Sequence, residues 1–209
     1  MEQIAFIEHG ISSEELDPQT YDAEKIATLK TQLNLPLDKK IIAFVARLYP
    51  QKRPMDFVEL ARRFQNDPHV YFLMVGDGVL REKVDAQIAR SHLQNFRRLD
   101  FYKPIKDIYA LLDVLVLPSK YEAMPMVVAE TLAMGKPVVV TDVGNNRDVV
   151  EMTGGGEVVS AIGNVAALQV AVQKVLANPP DPEKLRATIL ARFDIQWIAE
   201  KHAQIFLPK

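Results

Sequence analysis

Four short apolar runs, at residues 41–46, 70–75, 114–117 and 138–140, punctuate the chain, and each is followed by a polar loop and then a stretch of helical periodicity. A continuous apolar run of this length suits a strand buried on both faces, the habit of parallel sheets. Strands that alternate with helices are joined by right-handed crossovers, so the pattern predicts an α/β domain of doubly wound, Rossmann-like form over residues 1–209. The helices are read at 21–33, where Ile26, Leu29 and Leu33 share a face, from Pro54 with Phe57, Leu60, Ala61 and Phe64, and at 80–89 and 105–112. A further helix opens at Pro125, runs for about ten residues and closes at Gly135. Others follow at 146–151, 165–176, 182–191 and 195–205, with weaker strands at 4–7, 97–102 and 157–159. Asn178-Pro179-Pro180-Asp181-Pro182 reads as a rigid turn between helices, and Trp197 as an ordinary packing residue beside Ile195, Ile198 and Ala199.

Composition narrows the chemistry. The 209 residues are 48% hydrophobic and 25% charged, ample for a buried core. Twenty-five basic residues against 27 acidic give a net charge of −2, which offers no general attraction for nucleic acid. The absence of cysteine removes disulfides, thiolate metal sites and thiol nucleophiles. His9, His69, His92 and His202 are scattered without metal-binding spacing, so no metal is expected. There is no G-x-S-x-G elbow, and Gly154-Gly155-Gly156 lacks the Lys-Ser or Lys-Thr sequel of a Walker loop. No run approaches the ~20 apolar residues of a membrane span, and Met1-Glu2-Gln3-Ile4 does not begin a secretory signal, so the expected location is the cytoplasm.

In open α/β sheets ligands lie beyond the carboxyl ends of the strands, which singles out four loops. The first holds Arg47 and Lys52, a planar fork and a mobile point charge that together suit a diphosphate, unless both are solvated loop charges. The second, Gly76-Asp77-Gly78, serves either a tight turn or close approach of backbone to a ligand; a lone G-x-G is not a dinucleotide fingerprint. In the third, Glu122 precedes the helix opened by Pro125, and Glu130 lies about 7–8 Å along it. These two acids are either surface residues or the walls of a groove in which the helix N-terminus receives an anion. Gly144-Asn145-Asn146 forms the fourth loop.

Taken together, the motifs resemble the C-terminal, nucleotide-sugar-binding domain of a retaining glycosyltransferase of family 4 (group 1), which has the GT-B architecture. The resemblance is carried by Phe44-Val45-Ala46-Arg47-Leu48 with Lys52, Val75-Gly76-Asp77-Gly78 with Leu80-Arg81, and Pro118-Ser119 followed by Glu122-x7-Glu130. Gly135-Lys136-Pro137-Val138-Val139, Asp142-Val143-Gly144 and Ile7-Glu8-His9-Gly10-Ile11 extend it over nearly the whole chain. It implies metal-independent transfer of a sugar from a UDP- or GDP-sugar, with no other cofactor. The matches to Arg47 and Lys52 hold the diphosphate, the match to Glu122 contacts the donor sugar, and that to Glu130 holds the ribose diol. Backbone groups of Ala123, Met124, Pro125 and Met126 assist, with Gly76 and Gly78 beside the donor. Ala46 and Ala123 replace common glycines, Asn145 replaces another, and Phe101-Tyr102-Lys103-Pro104 stands where the family usually has a glycine. The resemblance also implies that an N-terminal, acceptor-binding half is missing, to be supplied as a further domain or a partner chain. Any membrane contact would then be made through that half, and the domain alone is expected to be inactive. Two other readings stand beside this one, a non-catalytic module for a nucleotide or phosphate ligand and, disfavoured by the incomplete glycine fingerprint, a nicotinamide-dependent oxidoreductase.

Overall fold

A computed structural model describes residues 9–123 and 125–206. The apolar runs form the strands β1 (Lys40–Val45), β2 (Val70–Val75), β4 (Val114–Leu117) and β5 (Val138–Thr141), and nearly all of their residues are buried. The shorter β3 (Phe96–Leu99) and β6 (Gly156–Val159) complete a six-stranded sheet, all pairs parallel, in the order β3-β2-β1-β4-β5-β6. The order reverses between β1 and β4. Right-handed crossovers running in opposite directions from that point put the crossover helices of the two halves on opposite faces, which is the doubly wound arrangement.

The helices among the described residues are α1 (Ala23–Gln32), α2 (Pro54–Arg63), α3 (Arg81–Arg90), α4 (Ile105–Leu111), α5 (Met126–Ala133), α6 (Asn146–Thr153), α7 (Val165–Ala177), α8 (Pro182–Phe193) and α9 (Ile195–Phe206). Their starts follow local chemistry. Asp22 caps α1 by accepting from the Lys25 amide at 2.8 Å, and Asp181 caps α8 through the amides of Glu183 and Lys184, with Pro182 at the first helical position. α5 departs from the sequence expectation by one residue. Pro125 has an extended backbone (ψ 109°) and caps the helix instead of opening it, leaving eight residues where about ten were expected. Gly135 closes it at φ +70°.

Phe57 on α2 lies at the centre of the core, its ring 5.5 Å from Phe44, 5.4 Å from Phe72 and 6.0 Å from Phe96. The N-terminal segment is fastened to the last helices. Ile11 exchanges backbone bonds with Phe193 (2.6 Å) and Ile195 (2.8 Å), and the Arg186 guanidinium donates to the carbonyls of Ser13, Leu16 and Ala133. The strand expected at 4–7 lies outside the described residues. Trp197 does not pack as expected: it and Ile195 are exposed, the Lys201 ammonium lies 3.5 Å over the indole, and Ile198 carries the burial of that turn.

Helix α4 is tied to α5 by the Tyr109 hydroxyl, which donates to Glu130 Oε2 at 2.7 Å. Burial, and then the neighbouring carboxylate, push the Tyr109 phenol well above its ordinary 10.0. A folded-state value above the unfolded one contributes stability that is complete below the unfolded value and lost as pH rises toward the folded one. Denaturant melts are therefore expected to show stability falling as pH is raised above about 10. Tyr109→Phe should be less stable at neutral pH by about 0.5–1.5 kcal/mol and lose less over the alkaline range; an unchanged alkaline slope would contradict this. Phe57→Ala is expected to cost about 3–5 kcal/mol by the same measurement, whereas Val170→Ala, on the exposed face of α7, should stay within roughly 0.5 kcal/mol.

Candidate functional site

The reversal of strand order opens a crevice beyond the carboxyl ends of β1 and β4, where open α/β sheets hold their ligands. The loop after β1 turns through a short 3-10 segment, Pro50–Lys52, and the loop after β4 carries Ser119 to Ala123 toward α5. The two loops meet. The Lys120 amide donates to the Gln51 carbonyl at 2.7 Å, and Lys52 Nζ lies 2.5 Å from Glu122 Oε1. The lysine and glutamate side chains are only 13% and 7% exposed, so this is a largely buried ion pair, unlike the surface pairs elsewhere on the molecule. Ser119, fully buried, donates from Oγ to the same Glu122 oxygen at 2.5 Å, while its carbonyl accepts from Thr141 Oγ1 at the end of β5. Glu122 is thus held by Lys52 from the loop after β1 and by Ser119 of its own loop, which β5 supports through Thr141.

Beneath Glu122 the loop after β5 comes in close. Gly144 has φ +55°, and a Cβ there would sit 2.3 Å from the Glu122 carbonyl oxygen, so only glycine fits. The Asn145 amide donates to the Ala123 carbonyl at 3.1 Å, and the buried Asn146 side chain donates to the Thr141 carbonyl at 2.9 Å. Gly76 plays the equivalent part on the other side. A Cβ there would fall 2.0 Å from the Ala46 carbonyl oxygen, so the first glycine of the Gly76-Asp77-Gly78 turn serves contact between the β1 and β2 loops. Gly78 packs in the same way against Leu48 and Tyr49.

Two open cavities flank the crevice. One, of about 650 Å³, is walled by Arg47, Gly76, Asp77 and the segment from Phe101 to Ile105, and is mostly apolar apart from the Arg47 fork. The Arg47 guanidinium rests 5.3 Å from the Tyr49 ring. The other, of about 540 Å³, takes in Gly10, Ser12, Lys106, Tyr109 and Glu130. They share Pro104 and Ile105, so Arg47 and Glu130 line adjoining hollows on one edge of the sheet. Lys52 and Glu122 touch each other; Arg47 shares a cavity with Gly76 but not with Gly78. Pro125 is buried at the head of α5, Met126 opens the helix, and Met124 lies outside the described residues. Sequence reasoning named Ser119 only as part of the Pro118-Ser119 motif, not as a partner of Glu122, and passed over Tyr109. The first had a signal, standing three residues before Glu122 in the same loop; the second had none, because its partner Glu130 is on a different helix.

Chemically, the crevice offers a lysine with one of its three N–H donors already committed, a guanidinium at the mouth of an apolar hollow, and the N-terminus of α5. An anion flanked by neutral, hydroxyl-rich groups matches that set. Among the described residues no three His, Asp or Glu side chains are grouped to hold a metal ion, and no helix is long and apolar enough to cross a membrane.

Comparison with known proteins is consistent over the whole of this architecture. Residues 25–190 match the family model described as glycosyl transferases group 1. A UDP-Gal:α-D-GlcNAc-diphosphoundecaprenol α-1,3-galactosyltransferase of Escherichia coli is 30% identical over 71% of this chain and 39% of its own length. A GDP-mannose-dependent α-mannosyltransferase of Mycolicibacterium smegmatis is 31% identical over 75% of this chain and 39% of its length. Among solved structures, Anabaena HepE, in complex with UDP and glucose, superimposes with a TM-score of 0.84 at 21% identity, over 95% of this chain and 55% of that one. WaaG, a glycosyltransferase of lipopolysaccharide biosynthesis, gives 0.81 at 18% identity, over 97% of this chain and 56% of its own. The chain therefore spans about two fifths of the curated relatives and rather more than half of the structural ones. With the family match running from the first helix to the penultimate one and the sheet order that accompanies it, the chain belongs to the group 1 glycosyltransferases and has the Rossmann-like fold of the C-terminal half of a GT-B enzyme.

Proposed function

We propose that the crevice binds a nucleoside-diphosphate sugar, UDP- or GDP-linked, and that this chain is the donor-binding half of a retaining, metal-independent glycosyltransferase. The observation that carries the reading is the Lys52–Glu122 pair spanning the β1/β4 crevice. In the proposed complex the diphosphate lies between Arg47 and Lys52 at the head of α5, with backbone of Ala123, Pro125 and Met126 around it. The donor sugar meets Glu122, the ribose diol meets Glu130, and the base enters the apolar hollow beside Phe101 and Gly76, with Gly78 behind it. The relatives named for UDP- and GDP-linked donors support this class of substrate.

During transfer the bond between the anomeric carbon and the diphosphate oxygen breaks as one to the acceptor's hydroxyl oxygen forms, the hydroxyl proton is taken up by the departing diphosphate, and negative charge grows on the nucleotide. Arg47, Lys52 and the α5 N-terminus are oriented before the reaction begins, so they stabilise that charge without reorganising. Lys52 keeps its bond to Glu122 while its free N–H groups turn to phosphate oxygen, which couples the sugar-binding acid to the leaving group through one ammonium. Ser119 and Gly144 keep the acid from swinging away. No residue here is proposed to bind the acceptor; that role falls to an N-terminal half or partner chain, which would also make any membrane contact from the cytoplasm.

Equilibrium unfolding with and without nucleotide tests the reading. At a hundred times the dissociation constant, UDP or GDP and their sugar conjugates should stabilise the chain by about 2.7 kcal/mol, and NAD should not. Arg47→Ala or Lys52→Ala, each losing a charge-assisted bond, should weaken the nucleotide by roughly tenfold or more. A preference for NAD, or nucleotide affinity indifferent to both substitutions, would overturn the assignment. The 209-residue chain alone is expected to transfer no sugar, and appreciable transfer to any acceptor would refute its dependence on a second half.

A further inference from the structure

The end of the sheet opposite the crevice carries a further concavity that the donor reading does not use. Asp113 precedes β4, Lys136 and Pro137 precede β5, and Lys40 opens β1, so all lie at the amino ends of the strands. Asp113, Lys136 and Pro137 line a cavity of about 370 Å³ together with Tyr21, Pro179, Pro180 and Pro182. Pro18 and Pro137 join these three prolines in its walls. The Tyr21 hydroxyl is directed to Asp107 at 2.6 Å, so the tyrosine has no free donor to offer.

Lys136 is the one polar group of this cavity that the fold leaves without a counterpart. Among the described residues its ammonium makes no hydrogen bond and no ion pair. The nearby Asp113 is committed elsewhere: Oδ1 accepts from Lys40 Nζ at 2.9 Å and Oδ2 from the Ile41 amide at 2.8 Å. Lys30 adds another positive charge to the neighbourhood, and its own donors go to the carbonyls of Lys39 and Leu37. Burial pushes the Lys136 amine below its ordinary value, with Lys40 and Lys30 acting in the same direction and Asp113 against them. Lys136 is partly exposed, and a partly desolvated ammonium with no direct ion pair gains by meeting an added negative charge.

We propose that Lys136 anchors a binding site for a small organic carboxylate with an apolar body, separate from the donor crevice. The carboxylate supplies the missing counter-charge and the body lies against the prolines. A single ammonium donor among apolar walls suits a monoanion of this kind better than a phosphate, which calls for several converging N–H groups. The volume is within the range of small-molecule pockets and exceeds what a bare inorganic ion would fill.

The test uses benzoate as probe, its neutral isostere benzamide and inorganic phosphate as controls, with binding to the 209-residue chain followed by calorimetry and ligand-observed NMR. Benzoate should bind saturably at millimolar concentration, with benzamide and phosphate at least roughly tenfold weaker. Lys136→Met should lose benzoate by a similar factor while melting at or above the temperature of the unsubstituted chain, and Lys136→Arg, which keeps the charge, should retain it. UDP should neither displace benzoate nor bind differently to Lys136→Met, so the outcome does not depend on the donor assignment. Absence of saturable benzoate binding, equal binding of benzamide, an unaffected Lys136→Met variant or competition with UDP would each overturn the proposal.

Discussion

One largely buried ion pair, Lys52 with Glu122, joins the two loops that flank the reversal in strand order. An interaction of this kind is a poor way to stabilise a fold, because removing two charges from water offsets most of their attraction. Well-packed apolar residues in the same place would serve stability as well or better. What the pair does provide is position. It holds a cation and an acid at fixed separation across the crevice, with Ser119, Thr141 and Gly144 fixing the acid from behind and the 3-10 turn at Pro50–Lys52 presenting the cation. The rest of the domain is the frame that keeps those loops opposed.

That frame explains the distribution of small residues and glycines around the cleft. Gly76 lets the β2 loop lie against the Ala46 carbonyl, and Gly144 lets the β5 loop lie against Glu122, so at these two points neighbouring loops meet backbone to backbone. Rigid support of this sort lets the binding groups meet a charged ligand without first being ordered, which reduces the cost of association. The apolar hollow by Phe101 is more open: Phe101 is 76% exposed, and its wall belongs to the segment that leaves the edge strand β3. In the proposed donor complex, firm contacts fall on the diphosphate and sugar and looser ones on the base.

Much of this was legible in the sequence, for identifiable reasons. The strands at 70–75 and 114–117 could be read to the residue because buried parallel strands are apolar throughout, and their flanking loops are not. Arg47, Lys52, Glu122 and Glu130 were legible as candidates because they fall at the carboxyl ends of such runs or on the helix that follows. The direction of their side chains was not. Nothing in a one-dimensional pattern says that Lys52 turns toward Glu122, or that Tyr109 on one helix reaches Glu130 on another, since those contacts join residues 70 and 21 positions apart. The start of α5 was misplaced because proline suits both the cap and the first helical position, and only its extended ψ decides between them. Trp197 was misjudged because Ile198 takes the buried position of its turn, and apolar spacing alone does not say which of the two turns inward.

The claim that the two crevice loops are organised by Lys52 and Glu122 is most directly examined by a double-mutant cycle on unfolding free energy, with Lys52→Met, Glu122→Gln and the pair together in the absence of ligand. If the pair organises the loops, each single substitution strands the other partner in a desolvated site, and the double variant recovers part of the loss, a coupling of at least about 1 kcal/mol. Additive effects, agreeing within roughly 0.3–0.5 kcal/mol, would mean that the two side chains merely lie side by side and that the loops are held by their backbone contacts alone.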